Sequence, residues 1–194
     1  VNAGARDIAD DVRAVVLVEG LSDRVAVETL AERRGRSLAA EGVAVVPIGG
    51  AQAIAAFLDV YGPGGLGVSL AGLCDAGEER SFRRGLERAG LGSGLTRGQM
   101  ESLGFYVCVA DLEDELIRAL GTDAVERVLD AHGDTGPFRT LQKQPEWRGR
   151  PREAQLRRFF GSGSGRKIRY ARLLVEALEL TRVPRPLDGV LTHV

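Results

Sequence analysis

Four short apolar runs set the limits on what this chain can become. Residues 14–18 read Ala-Val-Val-Leu-Val, residues 43–48 Val-Ala-Val-Val-Pro-Ile, and residues 105–109 Phe-Tyr-Val-Cys-Val; residues 67–74 form a fourth, glycine-containing run. Unbroken β-branched runs of this length suit strands buried on both faces, which is the condition of a parallel sheet. Helical patterns stand between them. Ser22 is placed to cap a helix over 23–34 that stops at Gly35, and further helices are expected over about 51–60 and 78–89. Leu112, Leu116, Ile117 and Leu120 then repeat at helical spacing. Strands alternating with helices predict an α/β fold with a mainly parallel sheet of about four strands.

The second part of the chain reads differently. Gly62-Pro63-Gly64-Gly65 and residues 90–98 read as loops, and so does 133–149. A short basic helix is expected over 152–160, a Gly/Ser hinge over Gly161–Gly165, and an amphipathic helix over 166–180 with Ile168, Ala171, Leu174, Val175 and Leu178 on one face. The end, with Pro184 and Pro186, is expected to fray. This divides the chain into a core, 1–132, and a helical C-terminal extension, 133–194.

Charge divides close to the same point, at residue 138. Net charge is −1, but residues 1–138 carry 13 basic and 22 acidic side chains, while 139–194 carry 13 basic and 5 acidic. A basic tail points to an anionic partner; the alternative is that the two parts neutralise each other. Two cysteines are too few for a disulfide scaffold. No apolar run approaches a membrane span, and the acidic start, Val1 to Asp11, lacks a signal-peptide core. A cytoplasmic protein without membrane contact is the expectation.

Ligands of open α/β sheets bind beyond the carboxyl ends of the strands, and three of the four runs end in acid. Glu19 follows the first; Asp75, with Glu78 and Glu79, follows the third; Asp111, with Glu113, Asp114 and Glu115, follows the fourth. Carboxylates gathered at one rim repel unless protonated or neutralised, and oxygen-only donors favour Mg²⁺ or Mn²⁺. Helix capping and the helix dipole are the competing explanations, strongest for Asp114 and Glu115 and also open for Glu78, Glu79, Asp111 and Glu113. His132, His193, Cys74 and Cys108 show no ligand or nucleophile context. Trp147 fits apolar cover better than base stacking, and Tyr106 and Tyr170 lack the setting of a covalent tyrosine.

The string Val18-Glu19-Gly20-Leu21-Ser22-Asp23 resembles the opening motif of TOPRIM domains, and several further segments resemble the OLD (overcoming lysogenization defect) endonucleases. These are Val46-Pro47-Ile48-Gly49-Gly50, Asp111-Leu112-Glu113, and Lys167 before the last amphipathic helix. The resemblance runs over about residues 14–180. It implies a TOPRIM-like, Rossmann-like fold and a nuclease using two Mg²⁺ or Mn²⁺ ions. Glu19, Asp75, Glu78 or Glu79, Asp111 and Glu113 would hold the ions, and Glu19 and Lys167 would be catalytic. Gly20, Ser22 and Asp23 would meet a phosphate at the helix start, and Arg157, Arg158, Arg166, Arg169 and Arg172 would follow a nucleic-acid backbone, DNA favoured. One departure stands out: the second acid of the family's Asp-x-Asp motif is Gly77 here, with Glu78 next. No Walker A sequence is present, so a stand-alone domain is expected, with a partner ATPase and a homodimer as further expectations. A degenerate module that binds without cutting, and a nucleotidyl transferase or hydrolase of small nucleotides, are the rival readings.

Overall fold

Every strand of the sheet is short, apolar and parallel to its neighbours. The computed structural model describes residues 12–163 and 165–194; the acidic segment Val1 to Asp11 and Ser164 of the expected hinge lie outside them. The strands are β1 (Ala14–Val18), β2 (Val43–Pro47), β3 (Ser69–Cys74) and β4 (Phe105–Val107), in the order β2-β1-β3-β4. β1 lies at the centre, Val16 opposite Val45 on one side and Ala71 on the other. All five residues of β1 are buried, as its unbroken apolar run requires.

Helices cover both faces. α1 (Leu21–Arg33) fills one, together with α5 (Leu112–Leu120), α6 (Thr122–Ala131), α7 (Thr135–Lys143), α8 (Arg152–Phe160), α9 (Arg166–Ala177) and α10 (Arg185–His193). Its core runs from Val16, Val18 and Leu30 to Leu116, Phe160, Tyr170 and Leu174. The other face carries α2 (Ile54–Tyr61), α3 (Glu79–Arg88) and α4 (Arg97–Ser102), packed through Leu17, Ile54, Phe82, Met100 and Phe105. Adjacent residues of one strand serve opposite layers, the period-two consequence of a pleated backbone. The same alternation separates the cysteines: Cys108 N–H donates to Cys74 O at 2.9 Å, yet Cys74 belongs to the α2–α4 layer and Cys108 to the other. Gly72 belongs in β3 because a Cβ there would stand 2.5 Å from the Phe105 ring.

Several elements depart from the sequence expectation. α1 starts at Leu21 after Gly20, so Ser22 lies inside the first turn and is not the cap. The expected helix over 51–60 opens as a 3₁₀ turn, Ala51–Ala53, before α2. The expected loop 90–98 already contains the start of α4, where Thr96 accepts from Gln99 N–H in a capping box. The expected loop 133–149 holds α7, which buries Phe138 and Leu141. The expected frayed end is α10, with Leu187, Val190 and Leu191 fully buried. Proline is harmless in both cases because it occupies the first turn, where its missing N–H has no helical partner. Ile168 is not on the buried face of α9 but 37% exposed. The described part of the hinge is held by bonds: Ser162 Oγ donates to Phe159 O, and Arg166 donates to the carbonyls of Phe159 and Ser162.

Candidate active site

The strand order changes direction between β1 and β3: the chain passes from β1 to β2 on one side, then to β3 and β4 on the other. This switch point is where open α/β sheets leave a crevice. Glu19 ends β1 and Asp75 ends β3. They are tied across the gap, because Asp75 N–H donates to Glu19 Oε1 at 2.8 Å. The end of β4 is tied in as well, Ala76 N–H donating to Ala110 O at 3.0 Å beside Asp111.

An open cleft of about 450 Å³ lies over this gap, lined by Glu19, Ser22, Asp23, Asp75, Lys167 and Ile168 among others. Its carboxylates are poorly neutralised. Burial pushes Asp75 up to about 7, with Glu19, Asp23 and Asp111 adding repulsion. Burial also raises Glu19, with Asp23 and Glu78 adding to it and the bond from Asp75 N–H opposing it. Asp23 is raised by burial, opposed by Lys167 and by the 2.9 Å bond from Gly20 N–H to its Oδ2. Glu113 is raised by burial although Lys167 opposes the shift. Lys167 reaches the cluster from the first turn of α9, its Nζ 3.3 Å from Glu113 Oε2. Burial works against its charge, but Glu113 and Asp23 outweigh that and raise its pKa.

The run of acids after β4 is sorted by partner. Asp114 pairs with Arg118. Glu115 accepts from Val109 N–H at 2.7 Å and pairs with Arg118, so both hold the local fold. Asp111 caps α5 through Asp114 N–H at 2.8 Å, and its other oxygen accepts from Arg157 Nε at 2.5 Å. Glu113 is buried, and its Oε1 has no hydrogen-bond partner.

Two expected assignments move. Glu79 is not among the cleft's lining residues and is held by Arg83 and Arg97, which depress its pKa, its hydrogen bond with Arg97 contributing most. Glu78 contributes only its charge, felt at Glu19. Asp23 stands among the carboxylates and accepts from Gly20 N–H, a donor also expected for a phosphate.

The residues fit a hard divalent cation in chemistry: oxygen donors, mutual repulsion and one buried orphan oxygen on Glu113. Among the described residues no three acidic, histidine or cysteine side chains already converge as a cage.

The expected arginine stripe is largely occupied. Arg157 pairs with Asp111, Arg169 with Asp134, and Arg172 with Glu176 and Glu32. Arg166 lies 4.1 Å over the Phe159 ring, and Arg158 stands 5.9 Å from the Trp147 ring. With Arg152 on Asp123 and Glu126, Lys167 on Glu113 and Arg185 on Glu101, six of the thirteen basic residues after 138 pair with acids of the first part. Mutual neutralisation thus accounts for much of the charge asymmetry.

The result is an α/β protein with a parallel sheet of order β2-β1-β3-β4 and acids following β1, β3 and β4. Residues 12–76 match the family model described as "Overcoming lysogenization defect protein-like, TOPRIM domain". The fold is similar to the C-terminal region of the Xanthomonas campestris pv. campestris OLD protein, with a TM-score of 0.74 and 24% identity over 94% of this chain and 92% of that one. It is also similar to the C-terminal region of the Burkholderia pseudomallei OLD protein, with a TM-score of 0.71 and 20% identity over 94% and 96%. No curated protein matches the sequence significantly. The match to the OLD-like TOPRIM model is thus confined to residues 12–76, while the fold is that of OLD C-terminal regions over nearly the whole chain. Among the described residues no helix is long and apolar enough to cross a membrane.

Proposed function

We propose that this cleft cleaves phosphodiester bonds of nucleic acid, DNA first, with the help of Mg²⁺ or Mn²⁺. The observation that carries the reading is the set Glu19, Asp23, Asp75 and Glu113 gathered around Lys167 at the sheet's switch point. Glu19, Asp23 and Asp75 would hold one ion, and Asp111 and Glu113 a second. Ions bound there supply Lewis-acid stabilisation of the attacking and leaving oxygens. Lys167, cationic and half-buried at the cleft wall, meets the charge that grows on a phosphate oxygen. Glu19 is anchored by Asp75 N–H and burial raises its pKa, which makes it a stronger base toward a water it orients. The proposal extends to a catalytic core ending near residue 132 with the later helices docked on it, to a homodimer and a partner ATPase, and to the cytoplasm as its place of action.

The test is nicking of supercoiled plasmid with Mg²⁺ or Mn²⁺ and without ATP. The wild type is expected to cut, and Glu19→Ala to lose at least about 100-fold of the rate, the scale of removing one preorganised polar group from such a site. Equal cutting by both refutes the assignment of Glu19. Gly77 in place of the second motif acid and the saturation of Asp111 by Asp114 N–H and Arg157 favour a second reading, a module that binds nucleic acid without cutting. Salt-sensitive binding with no cutting under either ion would select it.

A further inference from the structure

We propose that Arg157 is a positioning residue that acts as an internal counter-ion for Asp111 and thereby sets how tightly the second divalent ion is held. The inference rests on the two-ion reading above. The two halves of the acidic site differ in how they are neutralised. Glu19 accepts from Asp75 N–H and Asp23 from Gly20 N–H, and these two and Asp75 share the opposing charge of Lys167. Asp111 is paired directly with Arg157 from α8, whereas Glu113 is paired with the shared Lys167 from α9.

The Asp111 pair is the more committed one. Its side chain is 14% exposed, and both of its oxygens are engaged, one by the α5 cap and one by Arg157. Keeping the cap bond preserves the helix start, so a cation arriving at Asp111 competes with the guanidinium for Oδ2. Arg157 is 46% exposed, so it can swing into solvent without a large desolvation change. Lys167 serves several carboxylates at once and is not specific to one half. Arg158, next in sequence, has an aromatic neighbour and no acidic partner among the described residues, and is the natural control. Ion loading is therefore expected in two steps, with the weaker step governed by α8.

The experiment is Mn²⁺ titration of the full chain, without nucleic acid, by electron paramagnetic resonance of the free ion and by calorimetry. Wild type, Arg157→Gln, Arg157→Lys and Arg158→Gln are compared, with circular dichroism and thermal melts to show that each is folded. Arg157→Gln is expected to tighten the weaker step about fivefold, the scale of removing one partly exposed ion pair. The stronger step stays unchanged. Arg157→Lys retains the competing charge and should keep affinity close to wild type, as should Arg158→Gln. A weaker step that is unchanged or loosened in Arg157→Gln overturns the counter-ion role. Equal tightening in Arg158→Gln overturns it too, by showing a general charge effect. Absence of saturable Mn²⁺ binding in the wild type overturns the two-ion reading itself, and the inference with it.

Discussion

Replacing Asp75 by asparagine should flatten the protein's response to pH in a calculable way. In the folded protein Asp75 holds its proton up to about 7, against an ordinary value of 3.8, because burial and the neighbouring Glu19, Asp23 and Asp111 disfavour its charge. Folding then takes up a proton between those two values. The ionised form is the destabilised one, so stability is lowest above pH 7 and rises as pH falls through 7 toward 3.8. For one such site, going from pH 8 to pH 6 adds about 1.4 kcal/mol. This is an upper figure, since Asp75 is only partly buried and solvent screens it. Glu19, Asp23 and Glu113 shift in the same direction, so the wild type should gain at least as much in total. Urea unfolding in EDTA at pH 8 and pH 6 measures both proteins. The gain in Asp75→Asn should fall short of the wild-type gain by about 1 kcal/mol. Mg²⁺ at pH 8 should stabilise the wild type more than the variant. Identical pH responses, or a wild type that loses stability on acidification from 8 to 6, would refute the account of a strained carboxylate cluster.

Two other perturbations test the scaffold and the tail. Gly189 on α10 lies against Tyr106 of β4, and an added Cβ would come within 2.3 Å of the ring, so Gly189→Ala should cost about 2 kcal/mol in urea unfolding. Arg158→Gln should weaken oligonucleotide binding and lower its salt slope by about one. Arg169→Gln, which loses Asp134, should leave the slope unchanged and lower only the melting temperature.

The sheet was legible because its strands are buried on both faces, which leaves little choice but continuous β-branched runs; β1 is apolar at all five positions. The strand ends brought Glu19, Asp75 and Asp111 to one rim, and capping, the competing explanation for Asp111, is also present in α5. α7 and α10 were hidden by Pro137, Pro184 and Pro186, which look like breakers until the helix start is located. α4 carried its own sign in Thr96 and Gln99, a capping pair inside a stretch that composition assigns to a loop. Asp23 and Glu79 could not be sorted from sequence, because each depends on which neighbour arrives: Gly20 N–H and Lys167 for one, Arg83 and Arg97 for the other. The arginine stripe shows the same limit. Its spacing is real, but partners such as Asp111, Asp134 and Glu32 come from distant parts of the chain.

Cys74 ends β3, Cys108 directly follows β4, and the two face opposite layers. The sheet itself lies between the two sulfurs, so oxidation cannot join them within the folded chain, and each thiol answers to its own surroundings. Both are buried, and burial raises both thiols far above their ordinary range, so a thiol reagent reaches either one only when its layer opens. Cys74 keeps time for the α2–α4 side, and Cys108 for the side built by α1 and the later helices. One chain thus carries two separate clocks, and comparing their rates shows which half of the molecule lets go first.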